Sequence, residues 1–192
     1  MTTPQLDRMF NLGRTHSHWL DRPVDPALLQ QAWDLAILGP SSANSQPLRV
    51  AFVSSAEAKA KLCPALAPGN VDKTMAAPVC AIIAWDLEFY EALPRLFPQT
   101  DARAWFAGND ALISATVMRN SSLQAGYFIL ALRALGLDCG PMSGFDAALV
   151  DQAFFAGTTW RANFLLNIGY GDETKLHPRN PRLDFAEGCM LL

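Results

Sequence analysis

The segment Arg14-Thr15-His16-Ser17-His18 places a guanidinium and two imidazoles at alternate positions near the start of the chain. Alternate side chains of an extended segment point to the same side, so we expect these three groups to face one ligand. A guanidinium is a good bidentate clamp for phosphate, and the segment therefore predicts a site for a phosphorylated ligand. The alternative is a solvated turn near the N-terminus.

Small polar and basic residues recur in other loops, each beside a predicted helix or strand end. These loops are PSSANSQP (residues 40–47), PGNVDK (68–73), GPMSGF (140–145) and HPRNPR (177–182). Loops carried by a rigid scaffold are where ligands usually bind. Pro, Ser and Asn are also ordinary turn residues, and a lone lysine is often only a solvated surface group. Composition alone leaves both interpretations open.

Several familiar chemistries have no counterpart in the sequence. It contains neither of the glycine-rich phosphate-binding motifs, GxGxxG and GxxxxGK[ST]. It also contains no HExxH motif, no Cys/His cluster and no GxSxG motif around its serines. We therefore expect no resident metal and no serine hydrolase. The four cysteines are widely spaced, which favours unpaired thiols in a reducing compartment; they are Cys63, Cys80, Cys139 and Cys189.

The composition limits the partners of the chain. Eighteen acidic against fifteen basic residues give a net charge of −3, which disfavours nucleic acid or an anionic membrane as partner. The longest apolar run is too short to span a bilayer, and the N-terminus resembles no signal peptide, so we expect a cytoplasmic protein. With 51% hydrophobic and only 17% charged residues, an apolar surface is expected to be covered in a permanent homodimer.

The chain, residues 1–192, reads as a single domain because no linker or repeat divides it. Helices and strands mix without a regular βαβ alternation, which favours an α+β fold. The predicted helices run from Pro26 towards Gly39, from Ser55 through Leu66, from Ala111 to Leu135 and from Asp146 onwards; the predicted strands are Arg49 to Val53, Pro78 to Trp85 and Asn163 to Gly169.

The long helix from Ala111 to Leu135 is apolar on nearly every face, which indicates a central position. Its polar interruptions are Arg119, Asn120, Ser121, Ser122 and Gln124. Buried polar groups need partners. These side chains are expected either to face a second subunit or to meet solvent and loops.

Taken together, the loops resemble the flavin-dependent nitroreductase family from Arg14 to about Phe185. The resemblance implies a central, mainly antiparallel mixed sheet flanked by helices, in an intertwined homodimer with FMN at the subunit interface. Arg14 matches the first base of the family's opening segment. His16 stands where a serine is usual and His18 where the second base is, so part of the charge becomes dependent on pH.

The resemblance also implies roles for the other loops. Ser41, Ser42 and Asn44 would reach an FMN held mainly by the partner subunit, and Asn70 and Lys73 would contact the pyrimidine edge of the flavin. The backbone of Pro141, Met142, Ser143 and Gly144 would pass the reactive edge of the ring, with N–H groups near N5. Arg179 and Arg182 would complete the phosphate site, although their spacing is looser than is usual in the family.

The family's activity would be hydride transfer through FMN, with NADPH or NADH as transient co-substrate. PGNVDKTMAAP, RNSSLQAGY, GLDCGPMSGFD and NIGYGD look most like the branch that reduces malonic semialdehyde to 3-hydroxypropanoate in pyrimidine degradation. The alternatives are a broad nitro or quinone reductase, and a flavin-binding sensor or structural dimer without turnover. Trp105 and Phe106 are expected to lie on a helical excursion that covers the flavin, or else to pack in the core or dimer interface.

Overall fold

A four-stranded sheet forms the centre of the computed structural model, which describes residues 4–192 apart from the side chain of Gln5. Its strands are β1 (Leu48–Val53), β2 (Val79–Asp86), β3 (Asp138–Met142) and β4 (Trp160–Gly169). They lie in the order β1-β2-β4-β3, and every neighbouring pair is antiparallel. A parallel bridge between Thr15 and Cys139 adds the N-terminal segment beside β3 and makes the sheet mixed.

The helices are α1 (Pro4–Leu6), α2 (Pro26–Ala36), α3 (Ala56–Leu62), α4 (Pro68–Ala76), α5 (Leu93–Leu96), α6 (Arg103–Phe106), α7 (Asp110–Ala134), α8 (Ala147–Phe154) and α9 (Phe185–Gly188). A π-helical turn, Asp7–Asn11, follows α1. Short 3-10 turns cover Ser42–Asn44, Cys63–Ala65, Phe89–Ala92 and Glu173–Lys175.

Apolar side chains cover both faces of the sheet. On one face, α2 and α7 pack on a cluster that includes Phe128, Leu132 and Ile168; on the other, α3 and α8 pack around Ile82 and Leu165. The first six residues of β2 are all buried, because neighbouring residues of a strand point to opposite faces and both faces are covered. This arrangement confirms the α+β fold.

The caps that the sequence indicates are present. Asp25 accepts a hydrogen bond from the N–H of Ala27 at the start of α2, and Ser55 accepts one from the N–H of Ala58 at the start of α3. Gly136 ends α7 with φ of +93°, in the left-handed region that glycine adopts at low cost. α3 ends at Leu62 rather than at Leu66, since Pro64 turns the chain into a 3-10 turn.

All four cysteines are unpaired, as expected. Cys80 and Cys139 are buried, and burial raises the pKa of each thiol to about 12. These two thiols are therefore protonated and unreactive at neutral pH. Among residues 4–192, no helix is both long and apolar enough to cross a membrane.

Candidate functional site

A cavity of about 400 Å³ lies between the N-terminal segment and the C-terminal tail. We call it the cation cavity, because five permanently charged bases line it: Arg14, Arg133, Lys175, Arg179 and Arg182. The imidazoles of His18 and His177 also line it, and within residues 4–192 no Asp or Glu does so. A concave, uniformly cationic site with planar guanidinium donors is suited to a phosphate group.

Two arginines hold the walls of the cation cavity together. Arg14 Nη2 donates to the carbonyl of His177 in the tail (2.5 Å), and Arg179 Nη2 donates to the carbonyl of Asn11 (2.7 Å). Arg182 bonds only to its own segment, at the carbonyls of Asn180 and Pro181. The C-terminal tail is therefore attached to the N-terminal segment by two of the arginines that would bind a ligand in this cavity.

His16 does not face the cation cavity. It is only 4% exposed, and its Nε2 lies 3.7 Å from Oδ1 of Asp138 in β3. The chain bends at Ser17 and His18, so the extended alternation ends there and the two imidazoles point to different places. The structure therefore brings Arg14 and His18 to one cavity, together with Thr15 and Ser17, and places His16 elsewhere.

A second cavity of about 500 Å³ adjoins the first and shares Ser17 and His18 with it. Lys73 and Asp172 also line this cavity. Hydrogen bonds from the side chain and backbone of Thr174 lower the pKa of Asp172, and the nearby positive groups lower it further. His18 thus lies at the junction of the two cavities, beside a carboxylate that stays ionised.

The start of α4 is fixed against the turn that follows β3. Asn70 Nδ2 and the backbone N–H of Ala67 both donate to the carbonyl of Gly144, at 2.7 and 3.0 Å. A Cβ at position 144 would lie 2.6 Å from Asn70 Nδ2, so a larger residue there would displace the Asn70 amide from this hydrogen bond.

The same turn offers two backbone donors. Within residues 4–192, the N–H groups of Ser143 and Gly144 donate to no acceptor. Pro141 and Ser143 are exposed, and Met142 Sδ accepts a hydrogen bond from Thr74 (3.6 Å).

The loop 40–47 lies apart from both cavities, and its backbone is strained. Ala43, Asn44 and Gln46 have φ values of 50°, 48° and 43°, which non-glycine residues adopt only at a cost. Neither cavity is lined by Ser41, Ser42 or Asn44. The polar side-chain atoms of Asn44 are engaged inside the chain, by the carbonyl of Leu96 and by Gln46 Nε2.

Two buried polar residues of α7 support this loop. Asn120 Oδ1 accepts from the N–H of Ser42 (2.8 Å), and Gln124 Oε1 accepts from the N–H of Leu48 (3.2 Å). Of the two alternatives for the polar residues of α7, contact with a loop is therefore found for Asn120, whereas Gln124 contacts the first residue of β1. Arg119 and Ser122 are exposed, and buried Ser121 Oγ has no partner within residues 4–192.

Replacing Asn120 with alanine is expected to lower the free energy of unfolding by about 1–3 kcal/mol, because the donor of Ser42 and the carbonyl of Thr116 lose a buried partner. Chemical denaturation measures this change. Ser114→Ala, at an exposed position of the same helix, is the control and should stay within about 0.5 kcal/mol of the wild type. Equal effects of the two substitutions would contradict the support role.

The two aromatic residues of the predicted excursion differ in environment. Phe106 is buried with Phe89, ring centroids 4.9 Å apart, and belongs to a small cluster under α7. It is therefore a core residue and covers no cavity. Trp105 is half exposed and packs against Phe97.

The architecture and the site have clear relatives. The sequence profile of the nitroreductase family matches residues 14–170. The chain belongs to the nitroreductase family. A Burkholderia lata relative, provisionally named an NADH dehydrogenase or NAD(P)H nitroreductase, is 63% identical over 182 residues, which are 95% of this chain and 93% of that protein. A Stutzerimonas stutzeri relative with the same provisional name is 58% identical over 186 residues, 97% of this chain and 95% of its own.

Solved nitroreductase structures share the fold. A nitroreductase family protein from Streptococcus pneumoniae matches with a TM-score of 0.85 at 26% identity, over 96% of this chain and 98% of its own. A protein from Exiguobacterium sibiricum, described provisionally as a nitroreductase and solved in complex with FMN, has a TM-score of 0.87 at 20% identity, over 100% and 99% of the two chains. The nitroreductase-like fold expected from the loop motifs is confirmed.

In this member of the nitroreductase family, several residues of the cation cavity were not predicted from the sequence. Lys175 and Arg133 contribute two of its five fixed charges, and Thr15 and Ser17 also line it. Lys175 lies a few residues after the strand that ends at Gly169 and just before the basic tail, and this position could have identified it as a site residue. The sequence around Arg133 gives no such indication, because a basic residue in the last turn of a helix is ordinary.

Proposed function

We propose that the protein is an FMN-dependent NAD(P)H oxidoreductase. The observation that carries this proposal is the cation cavity, which has five fixed positive charges, no carboxylate within residues 4–192, and an adjoining cavity that holds Lys73. A phosphate at one end of an elongated ligand and a ring system at the other fit this pair of cavities.

The residues fit both ends of FMN. Arg14, Arg179 and Arg182 would hold the phosphate, with the hydroxyls of Thr15 and Ser17. Asn70 and Lys73 would meet the pyrimidine edge of the flavin, and the N–H groups of Ser143 and Gly144 would serve as donors near N5. Neither N–H has an acceptor among the described residues, so both can donate to a ligand.

When bound, FMN supplies the redox chemistry, accepting hydride at N5 from NADPH or NADH and returning it to a second substrate in ping-pong order. The side chains bind and orient the reactants, and none is assigned as an obligate acid or base. Lys73 would place a positive charge beside the flavin ring, where it would favour the reduced state. No dinucleotide-binding motif is required, because the nicotinamide is a transient substrate of the same pocket.

His18 is proposed to contact FMN, because it lines both cavities. Replacing His18 with alanine removes a polar ring from the junction of the two cavities. The variant should bind FMN roughly two- to fivefold more weakly than the wild type, the lower part of the range for the net contribution of one hydrogen bond.

Titration of the two apoproteins with FMN measures this ratio. A ratio close to one would show that His18 is only structural.

For the second substrate we propose malonic semialdehyde, reduced to 3-hydroxypropanoate. The support is the resemblance of segments of this sequence to the branch of the family that carries out this reduction. The alternative is broad nitro or quinone reduction, which the provisional names of the relatives favour. Steady-state turnover of malonic semialdehyde, nitrofurazone and menadione separates the two, and far faster turnover of the latter pair would exclude the narrower assignment.

A homodimer with FMN at the interface is also proposed. α7 exposes Leu112, Met118, Leu123 and Tyr127, and the C-terminal tail exposes Leu183, Phe185 and residues 190–192. Exposed apolar area of this extent marks an interaction surface. Ser41, Ser42 and Asn44 line neither cavity of their own chain, which supports their proposed contact with the partner's FMN.

The deciding experiment is the absorption spectrum of the purified protein before and after anaerobic addition of NADPH or NADH. Flavin bands that bleach on addition are expected. Bands that never bleach would support a flavin-binding module without turnover, and a colourless protein that takes up no added FMN would refute the proposed function.

A further inference from the structure

Helix α4 carries Asn70 and Lys73 but has only a narrow apolar face. Across its nine residues, Pro68–Ala76, the buried residue is Thr74, and half-buried Val71 packs against the cluster around Ile82 and Leu165. Most short helices are held in place by a broader apolar face, so polar contacts also fix the position of α4. The last carbonyls of a helix have no partner within the helix, and several side chains donate to these carbonyls of α4.

Side chains from three distant elements donate to the end of α4. Trp19 Nε1 and Asn167 Nδ2 both donate to the carbonyl of Lys73, at 3.0 and 3.3 Å. Lys59 of α3 donates to the carbonyl of Met75 at 3.1 Å and also to that of Ala77. The backbone of Lys73 is therefore clamped from two sides by residues of the N-terminal segment and of β4.

Asn167 occupies an unusual place for an amide. It is fully buried in β4, with Cys80 and Gly140 as its neighbours across the sheet. Its Nδ2 also lies 3.2 Å from Thr74 Oγ1, which in turn donates to Met142. One amide thus links α4 to both β4 and β3.

The orientation of this amide is determined by its partner. A carbonyl oxygen only accepts, so Nδ2 must face Lys73, and Oδ1 is left without a donor within residues 4–192. An unpaired buried acceptor is costly. The fold tolerates this cost at the position that holds the carbonyl of Lys73.

We propose that Asn167 is a positioning residue that, with Trp19, sets the placement of Lys73 by clamping its backbone carbonyl. The role rests on the proposed function, in which Lys73 meets the flavin. Asn167 touches neither reactant and acts only through Lys73.

The first test needs no cofactor. Asn167→Leu removes the amide at similar volume, and Asn163→Leu is a matched control in the same strand, since Asn163 bonds to Ser122 on α7 instead. Hydrogen exchange of the apoprotein should show at least tenfold faster exchange at residues 70–77 in Asn167→Leu alone, with the amides of β2 unchanged. Unchanged protection of α4 would overturn the proposal, whether or not the protein binds FMN.

The second test distinguishes positioning from general destabilisation. The Kd for FMN is measured for the wild type, Asn167→Leu, Lys73→Met and the double variant. Asn167→Leu should raise Kd about tenfold, the lower end for a hydrogen bond to a charged group, and should add less than twofold in the Lys73→Met background. Independent, multiplicative effects would overturn the proposal.

Trp19→Phe removes the other donor to the same carbonyl and keeps an aromatic ring, and it replaces Asn167→Leu in both tests if that variant does not fold. Its expected effects have the same direction and the same dependence on Lys73. A wild type that binds no FMN would refute the proposed function, while the exchange experiment would still decide the role of Asn167.

Discussion

Replacing Arg14 with alanine is expected to weaken FMN binding by at least about 2 kcal/mol, or roughly 30-fold in Kd, the usual scale for a hydrogen bond to a charged group. Arg14 lines the cation cavity and also holds the tail through the carbonyl of His177. The substitution therefore removes a phosphate donor and loosens the wall that carries Arg179. Fluorescence titration of the apoprotein with FMN measures the loss.

Two further variants make the result specific. Arg14→Lys keeps the charge but loses the planar pair of donors, so it should recover only part of the affinity. Arg103→Ala removes an equally charged residue outside the cavity, where it forms an exposed ion pair with Glu91, and should leave Kd unchanged. A Kd for Arg14→Ala within twofold of the wild type would show that the cation cavity does not hold the phosphate.

The elements that hydrophobic pattern and caps define were predictable from the sequence. Apolar residues recur at a regular spacing between turn residues in α2, α7 and the strands β1, β2 and β4. β3 was missed because Gly140 and Pro141 interrupt it, and proline is tolerated there because β3 is an edge strand of the four-stranded sheet. α4 was harder to predict, because the side chains that hold it in place lie far away in the sequence.

The site was predictable where the family's motifs define it and not where backbone direction does. Arg14, Arg179 and Arg182 line one cavity, and the family resemblance, rather than their charge alone, is what predicted that they belong to one site. The bend at Ser17 that buries His16 is a tertiary effect, because the ring of His16 fills space that a side chain at Gly171 would otherwise occupy. The positive φ values of Ala43 and Gln46 were equally hidden, since neither residue type prefers them.

The exposed apolar residues of α7 yield the second large expected effect. Leu123→Lys is expected to raise the dissociation constant of the proposed homodimer at least about a hundredfold, because a charge buried without a partner at an interface costs several kcal/mol. Leu149→Lys is the matched control, since Leu149 is 43% exposed and Leu123 is 44% exposed, but Leu149 lies on α8 against the opposite face of the sheet. Sedimentation equilibrium measures both variants beside the wild type.

If the site is shared between subunits, the same variants should also differ in their flavin content. Leu123→Lys should lose FMN together with the dimer, whereas Leu149→Lys should keep both. A monomeric Leu123→Lys protein that retained all its FMN would show that Ser41, Ser42 and Asn44 do not reach the flavin of a partner. A monomeric wild type would exclude the homodimer itself, and the strained backbone of the loop 40–47, which Asn120 supports at Ser42, would then need another explanation.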